Sequence, residues 1–388
     1  MLIALIIFAT TWGVFLLYCY SGLKYIPKFS SSQGTELSDD LPSATIIIAV
    51  KDDESEIGET VKTLQSLAYK RLEILVVIDR STDKTEQIVR EIASSDSRIK
   101  PLIVNSLPLG WLGKVHALHC GSREAMGDFI IFMDADMGIS DADLRLALHE
   151  AKVKKLDHMS IVPQVASKGF LHDVMMCTST ILFISSSRPW MSIDQRPLKS
   201  IKGMGKFNMV RRSLFARTEG FTWLKMDVAD DVALAQLMAR HGGRSLLYKS
   251  DQNGPKLDWY DSFWGIVTGL EKNIVSGFTN YDPFQIIFMP SFSATPFLVP
   301  LLALAFGPKA ILVALVCFAL TMVFASFTKR FLFYPLHVVA AFPLGLFLLG
   351  LILLRASYVC FKNGGIRWSG TTYPIDELRK GARVKMGL

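Results

Sequence analysis

The sequence predicts an α/β domain with a mostly parallel sheet, held between membrane-spanning helices at its two ends. Three observations point there. Between about residues 42 and 255, short apolar runs of strand length alternate with segments of helical periodicity. Both ends of the chain carry long, uncharged, apolar stretches. Where successive apolar runs stop, carboxylates collect.

Residues 1–22 are expected to be a transmembrane anchor. "MLIALIIFATTWGVFLLYCY" holds no charge from Met1 to Tyr20, a length that crosses a bilayer. A secretory signal would open on basic residues and close on a small-residue cleavage site, and neither is present. Residues 23–41 read as a polar linker, and its Lys24 and Lys28 put the following domain on the cytosolic side by the positive-inside rule.

Within 42–255 the elements come in order. "TIIIAV" (45–50) is a β-branched strand, and Ile57, Val61, Leu64 and Ala68 then recur at helical spacing. "LEILVVID" (72–79) is the next strand, followed by a helix holding Ile88, Val89 and Ile92. "PLIVN" (101–105) and "DFIIFM" (128–133) are further strands, with a helix across 114–125 between them. Continuous apolar strands alternating with helices mean a parallel sheet covered on both faces.

Ligands of such sheets bind at the carboxyl ends of the strands. There the first strand ends in "KDDE" (51–54), the second in Asp79 and the fourth in Asp134-Ala-Asp136. On an extended chain residues i and i+2 face one side, roughly 6–7 Å apart. Two bare carboxylates in one volume repel, and a hard divalent cation, Mg²⁺ or Mn²⁺, relieves the repulsion. The alternative is a solvated turn in which Asp136 caps the next element. Lys114 stands at the start of a predicted helix after Gly110 and Gly113, an anion site if the helix N-terminus is open to ligand, or otherwise a surface loop. His116 and His119 lie one helical turn apart, and partly buried histidines are commoner there than metal ligands. Asp230 and Asp231 open an amphipathic helix that stops at Gly242-Gly243. Capping accounts for one of them, and a general base is the second reading.

After residue 255 comes an interface segment, 256–283, in which Trp259, Trp264, Lys272 and Asn273 are candidates for an acceptor mouth. Residues 284–360 hold about three apolar blocks with prolines at 290, 296, 300, 335 and 343, which predicts kinked or interrupted helices. Residues 361–388 form a basic tail. Three full crossings would put this tail outside, against the positive-inside rule, so either one block only dips into the membrane or the tail breaks the rule. The net charge of +7 comes with no nucleic-acid motif, and basic residues beside membrane segments attract anionic headgroups. The five cysteines form no CxxC pair and are odd in number, which fits reduced thiols rather than disulfides or zinc. Nothing calls for an obligate protein partner.

Five stretches in order resemble the membrane-bound family 2 glycosyltransferases, over roughly residues 42–280. "IIIAVKDDESEI" stands where the family has a strand followed by Asn-Glu-Glu, and "VVIDRSTDKT" is similar to its VVDDGSTDGT. "FMDADMG" resembles its DxD, "ADDVALA" its EDxxLA, and "GWLGKVHAL" the GWxGKxxAL of members associated with hopanoid, carotenoid and ceramide-type lipids. The resemblance implies the GT-A fold. It implies that Asp53 and Asp79 contact the nucleotide, that Lys114 holds the donor, and that Asp136 with Asp134 binds the metal bridging the diphosphate. Asp231, with Asp230 beside it, matches the catalytic base. Two departures bear on the nucleotide: Ile78 replaces the first aspartate of the family's pair and Arg80 its glycine. The QxxRW motif of polysaccharide synthases and ceramide glucosyltransferases is missing.

The expected activity is inverting, metal-dependent transfer of a sugar from a UDP-sugar donor to a lipid hydroxyl at the cytosolic face of a bacterial membrane. A polysaccharide synthase, a polyisoprenyl-phosphate transferase and a non-catalytic scaffold are the alternatives. "SIKGMGKFNMVRRSLF" (200–215) adds Lys202, Lys206, Arg211 and Arg212 as candidates for lipid phosphate or donor diphosphate, or as a solvated basic face.

Overall fold

The computed structural model describes residues 1–30, 40–251, 256–257, 259–271, 273–368 and 370–384. The chain starts with α1 (Leu2–Tyr25), followed by β1 (Lys28–Phe29) and β2 (Ala44–Val50). Then come α2 (Ile57–Gln65), β3 (Leu72–Asp79), α3 (Thr85–Ala93), β4 (Ile99–Val104), α4 (Gly113–Glu124), β5 (Phe129–Met133), α5 (Asp141–Val153) and β6 (His158–Val162). A short β7 (Gln164–Val165) and α6 (Phe170–Ser186) precede β8 (Asn208–Arg211), α7 (Arg212–Phe215), α8 (Asp230–Arg240) and β9 (Ser245–Ser250). The main sheet runs in the order β1-β9-β6-β8-β5-β2-β3-β4. β8 alone runs antiparallel to its neighbours β5 and β6. The predicted mostly parallel α/β sheet is therefore present, and its first four strands fall within about two residues of the expected runs. The stretch read as a linker does more than connect: Lys28 and Phe29 pair with Lys249 and Ser250 as an edge strand.

Alternation along the central strands sends each residue to one of two cores. Ile46, Ile48, Ile74, Val76 and Ile131 pack with Val61, Val89 and Leu144 under α2, α3 and α5. Ile47, Leu75, Val77, Ile130 and Phe132 face the other way, toward α4, α8 and a core continuous with the membrane-type helices. Full burial of such side chains stabilises by about 1.5–3 kcal/mol each relative to exposure. A one-residue slip of a strand would exchange the two sets.

The remainder is helical: β10 (Lys256–Leu257), α9 (Phe263–Leu270), α10 (Ile274–Thr279), α11 (Pro283–Ala303), α12 (Pro308–Leu332), α13 (Leu336–Ala340) and α14 (Phe342–Lys362), then β11 (Gly365–Trp368), β12 (Thr371–Pro374) and α15 (Ile375–Gly381). Four helices, α1, α11, α12 and α14, are long and apolar enough to cross a membrane. α11 continues through Pro290, Pro296 and Pro300, so the expected interruption does not fall there. The break instead lies at residues 333–341, where Pro335 precedes α13 and Pro343 sits in the first turn of α14, a position that needs no N–H.

Contacts fix how these helices run. α1 buries a helical stripe, Ala9, Trp12, Leu16, Cys19 and Leu23, and leaves its other faces open. Along α12 the same direction is followed: Leu5 packs with Ala310 and Ala314, Trp12 Nε1 donates to Thr321 Oγ1 at 3.1 Å, and Tyr20 meets Phe331. α14 does not start at the far end. Its first residue, Phe342, stacks on Trp12 and Phe15 midway along α1, and Phe347 stacks on Phe297 of α11. From there α14 rises toward the sheet.

One helix escapes the sequence reading. α6, with Val174, Met175, Ile181 and Leu182 buried, is apolar but too short for a span, and it packs against α1 and α14. It ties the α/β domain to the membrane-type helices.

Candidate active site

Strand ends, one helix start and one glycine loop converge beyond the carboxyl edge of the sheet. β5 ends at Met133, so Asp134 leaves the strand and Asp136 lies on the turn after it. Ala229 precedes α8, so Asp230 and Asp231 occupy its first turn. Lys114, in the first turn of α4, reaches both: its Nζ lies 2.8 Å from Asp134 Oδ1 and 3.5 Å from Asp230 Oδ2. Lys206 pairs with Asp136 and stands 3.8 Å from Asp134 Oδ2. Its ammonium also lies over the Trp259 ring, 5.8 Å from the centroid.

The loop before β8 is shaped around the carboxylates. Gly205 N–H donates to Asp231 Oδ2 at 2.9 Å, and Asn208 Nδ2 donates to Asp231 O at 3.0 Å. A Cβ on Gly203 would fall 1.9 Å from Asp231 O, and one on Gly205 would press on the Asp134 carboxylate at 3.1 Å. Only residues without a side chain let this loop approach both.

Electrostatics separate the groups. Burial pushes Asp231 up to about 7, helped by Asp230 and opposed by Lys114. Asp230 is raised by burial as well, with Lys114 pulling it down and Asp134 pushing it up. Burial alone would lower Lys114, but Asp134 and Asp230 outweigh it and hold the ammonium charged well above its ordinary range. Burial lowers Lys202 to about 8, with Asp231 opposing.

These residues line a cavity of about 550 Å³. Its polar end holds Lys114, Asp134, Asp136, Asp230, Asp231, Lys202 and Lys206. Its other walls are apolar and come from the membrane side: Leu182 and Phe183 of α6, Ile274 and Phe278 of α10, and Leu349 of α14. A smaller pocket of about 130 Å³ adjoins it, lined by Lys51, Asp79, Arg80, Gly113 and Lys114, and the two share Trp368.

The expected basic tail closes that smaller pocket. Trp368, Thr371 and Tyr373 of the β11–β12 hairpin line it, and Gly113 N–H donates to Tyr373 Oη at 3.0 Å. Further on, Arg383 N–H and Val384 N–H donate to Asp227 Oδ2 at 2.7 and 3.0 Å, just ahead of α8.

The other sequence candidates divide. Asp53 stands half-buried at the end of β2, and burial, with Glu56 and Asp136, raises its pKa. Asp79 is buried and bound on both oxygens by Arg80, at 2.8 and 2.7 Å. Asn273 lines the main cavity, whereas Trp264 is exposed and does not. Lys272 lies outside the described residues. Arg211 and Arg212 are not brought to the site: Arg211 pairs in register with Phe129, at the opposite edge of the sheet. There Arg211 binds Asp157, and Arg212 binds the Gly127 carbonyl. An antiparallel β8 carries these arginines away, which a reading of charge alone does not anticipate. His116 and His119 pack on Trp111.

Asp134 and Asp136 fit a divalent cation. Two hard-oxygen donors face the Lys206 ammonium, so positive charge already belongs between them. Among the described residues no cluster of three or more His, Cys, Asp or Glu forms a closed cage. Mg²⁺ and Mn²⁺ sites that share a substrate phosphate are open in this way.

Comparison with known proteins bears on the family. The model of "Glycosyl transferase family 2" matches residues 45–218, the stretch that builds the sheet and the carboxylate edge. Residues 45–218, a little under half of the chain, thus carry a family 2 glycosyltransferase domain. The chain is 37% identical over 115 residues to the "Probable glycosyltransferase YdaM" of Bacillus subtilis, covering 29% of this chain and 26% of that protein. It is 32% identical over 107 residues to the "Beta-monoglucosyldiacylglycerol synthase" of a Nostoc species, covering 27% of this chain and 22% of the relative. The match thus spans about a quarter of each relative's length. Among solved structures, a mannosyltransferase from Pyrobaculum calidifontis in complex with GDP-Man and Mn²⁺ superposes with a TM-score of 0.54. It covers 89% of this chain and 99% of that one at 18% identity, a likeness of fold.

Proposed function

We propose that this transferase moves a sugar from a UDP-sugar to a hydroxyl of a membrane lipid, inverting the anomeric centre, on the cytosolic face of a bacterial membrane. The observation that carries the reading is the single cavity joining the carboxylates of β5 and α8 to the apolar walls of α6, α10 and α14. A sugar donor needs the first, and the apolar part of a lipid needs the second. The relative named for monoglucosyldiacylglycerol synthesis supports a lipid acceptor.

In this mechanism the nucleoside lies in the pocket between Asp79, Arg80 and the β11–β12 hairpin, with Asp53 nearby. Lys114 and Lys206 take the diphosphate, releasing part of their hold on Asp134 and Asp136. Asp134 and Asp136 would hold a Mg²⁺ or Mn²⁺ ion, which would supply neutralisation of the diphosphate charge. Asp231, buried and held by Gly205 N–H, accepts the proton of the attacking hydroxyl. Its raised pKa suits a base that works near neutrality.

The contacts also support a topology. α1, α11 and α12 cross the bilayer, while α13 and α14 enter and leave on the side of the sheet. That arrangement explains how the β11–β12 hairpin reaches Gly113.

The test is direct. Membranes carrying the protein are incubated with labelled UDP-sugars and Mg²⁺ or Mn²⁺, and the lipids are extracted. Label is expected in a small glycolipid and is lost by roughly 10²–10⁴-fold in Asp231→Asn, the usual scale for a general base. Asp136→Ala is expected to abolish the response to added metal. Absence of transfer to any lipid, with the protein folded, would overturn the reading.

A further inference from the structure

Lys202 is the lysine of this cavity that the mechanism does not use. It is 3% exposed and lies in the glycine loop before β8, on the wall of the main cavity. No hydrogen bond or ion pair joins its ammonium to a described residue. The other two lysines of the cavity differ: Lys114 and Lys206 each reach two carboxylates. A buried ammonium without a partner is unfavourable, so a site that keeps one is built to receive an anion.

Its position says which substrate brings that anion. The charge that acts on Lys202 is Asp231, the proposed base, while Asp134 and Asp136 at the donor end engage Lys114 and Lys206 instead. The apolar walls of α6 and α10 border the same cavity. We propose that the lipid acceptor is anionic, bearing a phosphate or carboxylate beside the reacting hydroxyl, and that Lys202 binds this group while Asp231 meets the hydroxyl. Resting on the proposed lipid transfer, this names the class of lipid. In the step itself the acceptor oxygen forms a bond to the anomeric carbon, the bond to the diphosphate oxygen breaks, and the hydroxyl proton passes to Asp231.

The experiment uses the full chain in membranes with labelled UDP-sugar and four acceptors. Diacylglycerol and ceramide present neutral hydroxyls, phosphatidylglycerol a phosphate near hydroxyls, and an N-acylserine a carboxylate near one. Transfer to the two anionic lipids is expected to exceed transfer to the neutral pair, and whichever of the two is preferred identifies phosphate or carboxylate as the group. Lys202→Met is expected to lower kcat/KM for the anionic lipid by at least about 30-fold, as for loss of one partner of a buried charge pair. Lys202→Arg restores part of it, and the affinity for free UDP stays at the wild-type value, which also reports that the variant folds. Equal or better transfer to neutral lipids would overturn the anionic acceptor while leaving the glycosyltransferase standing. A Lys202→Met variant that loses UDP affinity instead would reassign Lys202 to the donor and overturn the proposal. Failure to label any lipid would overturn the lipid reading itself.

Discussion

Asp230 and Asp231 are adjacent carboxylates in the first turn of one helix, yet they have different surroundings. Both line the cavity, but Lys114 reaches Asp230, whereas Asp231 receives a backbone N–H. Because a base must be unprotonated, kcat/KM is expected to fall with decreasing pH through an apparent midpoint near 7. Asp230→Asn removes the largest charge that raises Asp231 while Lys114 still pulls it down, so the acid limb should move to lower pH. A limb that stays in place would show that Asp231 is not the titrating group. At this scale the carboxylates were legible in the sequence, since they stand where apolar strands and a helix begin or end. The lysines were less so. Lys202 and Lys206 lie four residues apart between glycines, and nothing local says that one is paired and the other bare. Arg211 and Arg212 carried the same signal of charge and went to the opposite edge, because strand direction, not composition, decided their place.

The β11–β12 hairpin is the element that the sequence concealed most completely. Its eight paired positions, Gly365↔Pro374 through Trp368↔Thr371, are too short to stand out from a basic tail. The usable signals were Gly364 and Gly370, both at positive φ, bracketing an aromatic residue. Because Trp368 and Tyr373 line the pocket beside Asp79, Trp368→Ala is expected to raise the donor KM by about 10-fold or more, the scale of losing a base–aromatic contact. Acceptor KM should move less. An unchanged donor KM in a folded variant would show that the hairpin is only a cover. α6 was missed for a related reason. Its continuous apolar run lacks the length of a span and the alternation of a strand, and its partners lie on α1 and α14, far away in sequence.

At the scale of the whole molecule, the puzzle posed by the basic tail turns on the chain between α12 and α14. Residues 333–341 include the five residues of α13, so they reach only about 20 Å, less than the ~30 Å hydrocarbon core. They cannot carry the chain back across a bilayer. With the native cysteines replaced, a cysteine at Gly307 should react with an impermeant maleimide from the side opposite to one at Gly364. Labelling of both from one side would refute the three-crossing topology. The first strands of the sheet and their alternation with helices followed from local patterning, whereas the strand order and the arrangement of the apolar helices depended on long-range contacts such as Phe342 with Trp12. The hairpin has a consequence for how the enzyme is made. Its residues come after every membrane helix in chain order, so a chain still leaving the ribosome holds the carboxylates but lacks the last wall of the donor pocket. Under the proposed function, sugar transfer is then expected only once α11 to α14 are in place, so that a half-made chain does not consume donor.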